Sequence, residues 1–202
     1  MEIGTAVQGF GMMLSLIVAI GAQNTFLLRQ SLAHRRMTPL VLICWLSDVT
    51  LVLIGVSGIG AVIESVPVAM TVIKICGAAV LLGYAAMAIR RAVRGESLQV
   101  NAANTTRTTI SVIGTCLAIT WLNPHVYLDT VLMIGGVANS HGDPGRWWFA
   151  AGALLGSIAW FAALGYGARL LRPLLRTHRA WRILDSAIAA IMIITAFKLL
   201  AG

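Results

Sequence analysis

Apolar residues dominate this chain in long runs, and the polar residues gather in the short intervals between them. Six runs stand out, at about 5–28, 39–63, 68–89, 110–138, 147–171 and 183–200. Each is close to the roughly 20 apolar residues that an α-helix needs to cross the hydrocarbon of a bilayer. The intervals carry turn and charge signals: Ala33-His34-Arg35-Arg36, Glu64-Ser65-Val66-Pro67, the polar stretch 90–109, Asn139-Ser140-His141-Gly142-Asp143-Pro144-Gly145, and the arginine-rich stretch 172–182. The pattern predicts an all-α polytopic membrane protein with six transmembrane helices. It predicts a single transmembrane domain over 1–202, in which halves 1–95 and 110–202 are joined by a linker at 96–109. The first run is too long for the apolar core of a signal peptide and lacks a basic leader, so it is read as a first membrane helix.

Three spans per half oblige the two halves to enter the membrane in opposite senses. Two features hint that the halves are inverted repeats. Gly58-Ile59-Gly60-Ala61 late in span two matches Gly165-Tyr166-Gly167-Ala168 late in span five. Polar interruptions recur as Gly21-Ala22-Gln23-Asn24 in span one and Leu122-Asn123-Pro124-His125 in span four, so both spans are predicted to be interrupted. Interrupted helices at matching places in inverted repeats point to a central binding site.

Composition agrees with the pattern. Of 202 residues, 58% are hydrophobic and 11% charged, whereas a soluble domain carries about a quarter charged residues. The net charge of +8 does not indicate nucleic acid, because the arginines sit beside the apolar runs. Twelve of the 15 basic residues fall in or beside intervals one, three and five: Arg29, Arg35, Arg36, Arg90, Arg91, Arg94, Arg107, Arg169, Arg172, Arg176, Arg179 and Arg182. The positive-inside bias then predicts that these intervals are cytoplasmic and both termini outside. Cys44, Cys76 and Cys116 are isolated within apolar runs and read as small buried hydrophobes. No cofactor is expected.

Four places inside the spans require a physical reason. The Gln23 and Asn24 amides cannot face lipid unsatisfied, so they bond other helices, freed backbone or a ligand. Pro124 lacks an amide donor and breaks the helix after Asn123, releasing carbonyls near Thr120. Asp48, about ten residues and roughly 15 Å into span two, and Asp129, five residues after Pro124, place carboxylates at depth. Interhelical bonding, a structural kink and pairing with a buried base are competing readings for these groups. Trp147, Trp148 and Trp181 read as interfacial aromatics, and Trp45, Trp121 and Trp160 as packing. Cys44 with Asp48, and His125 with Asp129, share helix faces at i, i+4 and allow a divalent-metal reading. No His-Glu-x-x-His or Gly-x-Ser-x-Gly pattern suggests an enzyme.

Several of these segments resemble one family. Ile20-Gly21-Ala22-Gln23-Asn24 with Arg29-Gln30, Ser47-Asp48, and Thr120-Trp121-Leu122-Asn123-Pro124-His125-Val126-Tyr127-Leu128-Asp129-Thr130 are similar to the lysine and arginine exporters of the LysE/ArgO family. Gly145-Arg146-Trp147 and Trp181-Arg182-Ile183 also fit, so the resemblance runs nearly end to end. It implies a six-helix bacterial inner-membrane exporter of arginine or lysine, driven by an ion gradient or the membrane potential, with protons as the simplest coupling ion. It implies functional roles for Asp48 and Asp129, with Asn24, Asn123 and Pro124 shaping the site, and Gly21, Gln23 and His125 beside them complete the candidate set. The wider superfamily includes carriers of neutral amino acids or metal ions, and a homo-oligomer remains open. Ala22 stands where the family motif usually has proline, which predicts a softer break in span one.

Overall fold

The computed structural model describes residues 2–18, 21–33, 37–58, 67–94, 105–168, 170 and 177–201. Every regular element among them is helical: α1 (Glu2–Ile17), α2 (Ala22–Ala33), α3 (Thr38–Val56), α4 (Pro67–Arg94), α5 (Thr105–Trp121), α6 (Pro124–Val126), α7 (Gly135–Ser140), α8 (Gly142–Ala162) and α9 (His178–Ala201). A π-helical stretch, Tyr127–Ile134, joins α6 to α7, and another, Ala163–Gly167, extends α8.

Among the described residues, four helices are long and apolar enough to cross a bilayer: Thr38–Val56, Lys74–Val93, Gly142–Gly167 and Arg179–Ala201. The pair α1 and α2 makes a fifth if it is taken as one bent span. Expected span four, 110–138, is divided at the polar interruption that its sequence marks. α5 stops at Trp121, Asn123 is extended (φ −103°, ψ 106°), and Pro124 opens the next helix. Proline is tolerated at that position because the first helical amide has no partner to lose.

Span one is bent more sharply than its alanine predicts. The axes of α1 and α2 meet at 82° although Ala22 replaces a proline. A side chain supports the break: Asn24 Nδ2 donates to the Ile17 carbonyl at 2.5 Å, replacing a bond the backbone no longer makes. The expected loop 139–145 is shorter than its polar sequence suggests. α7 runs to Ser140, His141 turns, and Gly142 (φ 62°) and Asp143 (φ −90°, ψ 135°) leave helical geometry before α8 runs on from Pro144. In the small-residue match, 59–61 lie outside the described residues.

Small residues set the packing, as they do where helices associate by close contact without a hydrophobic drive between them. α1 lies on α8, where Gly9 meets the Phe149 carbonyl and Gly152 the Ala6 carbonyl. α2 continues along the same partner, with Ser31 Oγ donating to the Gly165 carbonyl. α5 begins the corresponding path on α3, where Cys44 and Cys116 sulfurs are 3.5 Å apart. The segment after Pro124 continues it, with Gly135 against Gly55 and Asn139 Nδ2 donating to the Gly55 carbonyl at 3.2 Å. α4 and α9 pack together beside these elements. Large apolar residues such as Ile3, Ile75, Leu155, Ile183 and Phe197 are exposed on the outside of the bundle.

The glycine contacts carry an expectation. A Cβ at position 152 would run into the Ala6 backbone, whereas one at 136 meets nothing within 4 Å. Gly152→Ala should destabilise the purified protein by about 1–3 kcal/mol through overpacking. Gly136→Ala should be neutral or mildly stabilising, and thermal unfolding of the two variants in detergent separates them.

Candidate functional site

Asp48 lies in the middle of α3, where α5 and α8 both approach. The residue is 3% exposed, and its Oδ2 accepts a 2.6 Å hydrogen bond from Ser157 Oγ on α8. Neighbouring side chains tie the same stretch to both partners. Trp45 Nε1 donates to the Leu154 carbonyl at 3.1 Å, and Trp121 Nε1 to Ser47 Oγ at 3.0 Å. Trp160 Nε1 donates to Asn24 Oδ1 at 3.2 Å. The three deep tryptophans thus donate as well as pack: Trp160 to the break in span one, Trp121 to the aspartate's helix, and Trp45 from that helix to α8.

Asp129 is positioned by the break in span four. Asn123 Oδ1 accepts from the His125 amide at 3.2 Å and caps the new helix. Tyr127 Oη donates to the Trp121 carbonyl at 2.8 Å, satisfying an acceptor left by the break. The π-helical stretch then carries Asp129, half-buried, beside His125. Widened π-type turns are frequent at functional sites.

These elements enclose a cavity of about 290 Å³. Gly21, Gln23, Asn24, Asp48, Asn123, His125 and Asp129 line it, seven of the eight residues singled out in the sequence. The eighth, Pro124, is buried and fixes where the second half-helix starts. Thr130 and Thr195 add hydroxyls, and Met13, Leu16, Ile17 and Val126 form an apolar side. The volume, near the lower end of the roughly 300–1,000 Å³ of ordinary ligand pockets, suits one small molecule. Gln23 Nε2 is buried without a hydrogen-bond partner among the described residues. Neither acid pairs with a lysine or arginine among the described residues.

The divalent-metal reading does not assemble. Cys44 turns to Cys116, and no group of three or more His, Cys, Asp or Glu residues gathers among the described ones. The sequence reading also misplaced Arg29 and overlooked Asp185. Arg29 belongs to α2, is buried, and pairs through Nε with Asp185 Oδ1 of α9 at 2.6 Å. Arg91 Nε of α4 reaches the same oxygen at 3.3 Å. The only sequence signal for Asp185 was an acid three residues into an apolar run.

The profile of LysE type translocators matches residues 14–202. The lysine exporter LysE of Corynebacterium diphtheriae is 35% identical over 223 residues, covering 96% of this chain and 98% of that protein. The arginine exporter protein ArgO of Yersinia enterocolitica is 35% identical over 192 residues, 95% of this chain and 94% of that protein. A Mycobacterium tuberculosis protein provisionally named as an amino-acid transporter is 45% identical over 181 residues, 90% of this chain and 89% of its own length. No solved structure matches the chain. With breaks, acids and cavity arranged as described, and with matches of this extent, the chain belongs to the LysE family of membrane amino-acid exporters.

Proposed function

We propose that the chain exports L-arginine, L-lysine or both across the cytoplasmic membrane of a bacterium, in exchange for protons. The observation that carries this reading is that Asp48 and Asp129 line one cavity whose described lining contains no lysine or arginine. Two acids without a basic partner suit a cargo that brings its own positive charge. Asp129, the more open of the two, meets the guanidinium or ammonium, and Asp48 lies deeper against Ser157. The cargo carboxylate meets backbone N–H groups at the start of α2 or after Pro124, where helix dipoles are positive. The relatives named as lysine and arginine exporters support the same choice of cargo.

The architecture proposed for this function has six spans in two inverted repeats. α1 with α2 forms span one, and α5 with the segment after Pro124 forms span four. The parallel between α1 and α2 along α8, and α5 and its continuation along α3, supports that reading. The division of basic residues supports a topology with the segments around Arg35, Arg94 and Arg176 in the cytoplasm and both termini outside. A cysteine at position 94, in a background lacking the three native cysteines, should resist a membrane-impermeant thiol reagent in intact cells. Labelling from outside would reverse the topology.

Export of a monocation opposes an inside-negative potential by about 2.3 kcal/mol per 100 mV. The sequence has no Gly-x-x-x-x-Gly-Lys-Ser/Thr loop for a nucleotide. An inward proton taken up by an aspartate supplies the opposing gradient and competes with the cargo for the same oxygen. Cells loaded with labelled arginine or lysine should lose it faster when they carry the protein, and a protonophore should remove the difference. Equal loss with and without the protein would defeat the reading.

A further inference from the structure

A second polar cluster lies between α2, α4 and α9, clear of the cavity. Gln30 is seven residues along α2 from Gln23, and Asp185 ten residues along α9 from Thr195. Helical rise therefore sets the cluster about 10–15 Å from the cavity, toward the arginine-rich end of the bundle. Two guanidiniums, Arg29 and Arg91, share one oxygen of Asp185 at 2.6 and 3.3 Å. Both reach it through Nε, whereas a guanidinium and a carboxylate can also pair through two parallel bonds.

The cluster is unevenly satisfied. The Arg91 side chain is 16% exposed and the Asp185 side chain 3%. Arg91 Nη2 has no partner among the described residues, and its guanidinium carbon lies 5.4 Å over the Tyr84 ring. Tyr84 lies near Arg29, Gln30, Arg91 and Asp185. The Gln30 amide lies beside the Tyr84 hydroxyl, yet neither Tyr84 Oη nor Gln30 Oε1 makes a well-formed hydrogen bond among the described residues, in residues only 6% and 5% exposed. A carboxylate flanked by a free amide oxygen and a free hydroxyl is the acceptor set a cation with several N–H donors requires.

We propose that Asp185, Gln30 and Tyr84 form a second binding point for the side-chain cation of the exported amino acid, occupied in this conformation by the chain's own Arg91. The proposal rests on the reading that the cargo is arginine or lysine. Exchange of one guanidinium for another leaves the charge of the cluster unchanged, so no buried charge is left unpaired during the swap. Arg29, the closer and more buried partner, stays with Asp185. Arg91, longer and nearer solvent, gives way to the cargo and returns when the cargo moves on to Asp129, closing the path behind it.

The test uses the full chain in proteoliposomes, with initial rates measured against L-arginine presented at the arginine-rich face. Removing an internal competitor lowers the apparent KM, because a tethered group acts at roughly millimolar effective concentration. Arg91→Ala should lower KM about fivefold or more, and Gln30→Leu should raise it about fivefold. The neutral isostere L-citrulline should not compete in either variant. An unchanged or raised KM in Arg91→Ala, with only kcat altered, would overturn the proposal and leave a structural ion pair. Should Arg91→Ala fail to fold, Gln30→Leu decides alone, and an unchanged KM there also overturns it. Failure of the cargo reading is distinguishable: the wild-type protein would then carry neither arginine nor lysine, and both proposals would fall together.

Discussion

Asp129→Asn is expected to reduce export of arginine or lysine by about a hundredfold or more while leaving the protein in the membrane at a normal amount. Asparagine keeps the size and one acceptor of the side chain but removes the charge that meets the cargo. Losing one partner of a desolvated charge pair costs about 2–5 kcal/mol, and each 1.4 kcal/mol is about tenfold. The fold should tolerate the change, because a buried carboxylate without a basic partner gains nothing by staying charged in the empty site. Asp48→Asn should behave alike, since the amide oxygen can still accept from Ser157 Oγ. Labelled efflux from loaded cells, normalised to protein by immunoblot, measures both. Export at the wild-type rate would remove that aspartate from the mechanism, and loss of the protein itself would make the acid structural.

Asp185→Leu is expected to produce the largest loss of stability. It leaves Arg29 and Arg91 facing one another without the carboxylate that both contact. Breaking a buried ion pair by removing one partner typically costs about 3–5 kcal/mol, because the remaining charge is uncompensated. Arg29→Met added to Asp185→Leu should recover most of that loss, since Arg91 can turn toward solvent from its partly exposed position. Thermal unfolding of the purified single and double variants in detergent gives the comparison. A double variant no more stable than Asp185→Leu would mean that the cluster is held by more than its charges.

The helical class and most helix positions were legible because apolar runs of membrane length leave few other solutions. Pro124 announced the break in span four through its missing amide. The break in span one was legible only as Gly21-Ala22-Gln23-Asn24, a polar patch in an apolar run, and its 82° bend depends on the Asn24 bond to Ile17. Side-chain direction and long-range pairing were not legible. Cys44 and Asp48 have the spacing of one helix face, yet Cys44 meets Cys116 and Asp48 meets Ser157. Ser157 lies in a run of small residues that packing alone explains. Arg29 looked like a residue of the first interval because its acid is 156 residues away, on the last helix. The widened turn that carries Asp129 has no local signal beyond the proline before it.

The most direct measurement of the central claim is efflux from proteoliposomes containing the purified chain and loaded separately with labelled L-arginine, L-lysine or L-citrulline. The account predicts that arginine or lysine leaves well above the rate of protein-free vesicles, faster under an imposed inward proton gradient, while citrulline does not leave above that background. Citrulline leaving as fast as arginine, or neither basic amino acid leaving above background, would contradict it.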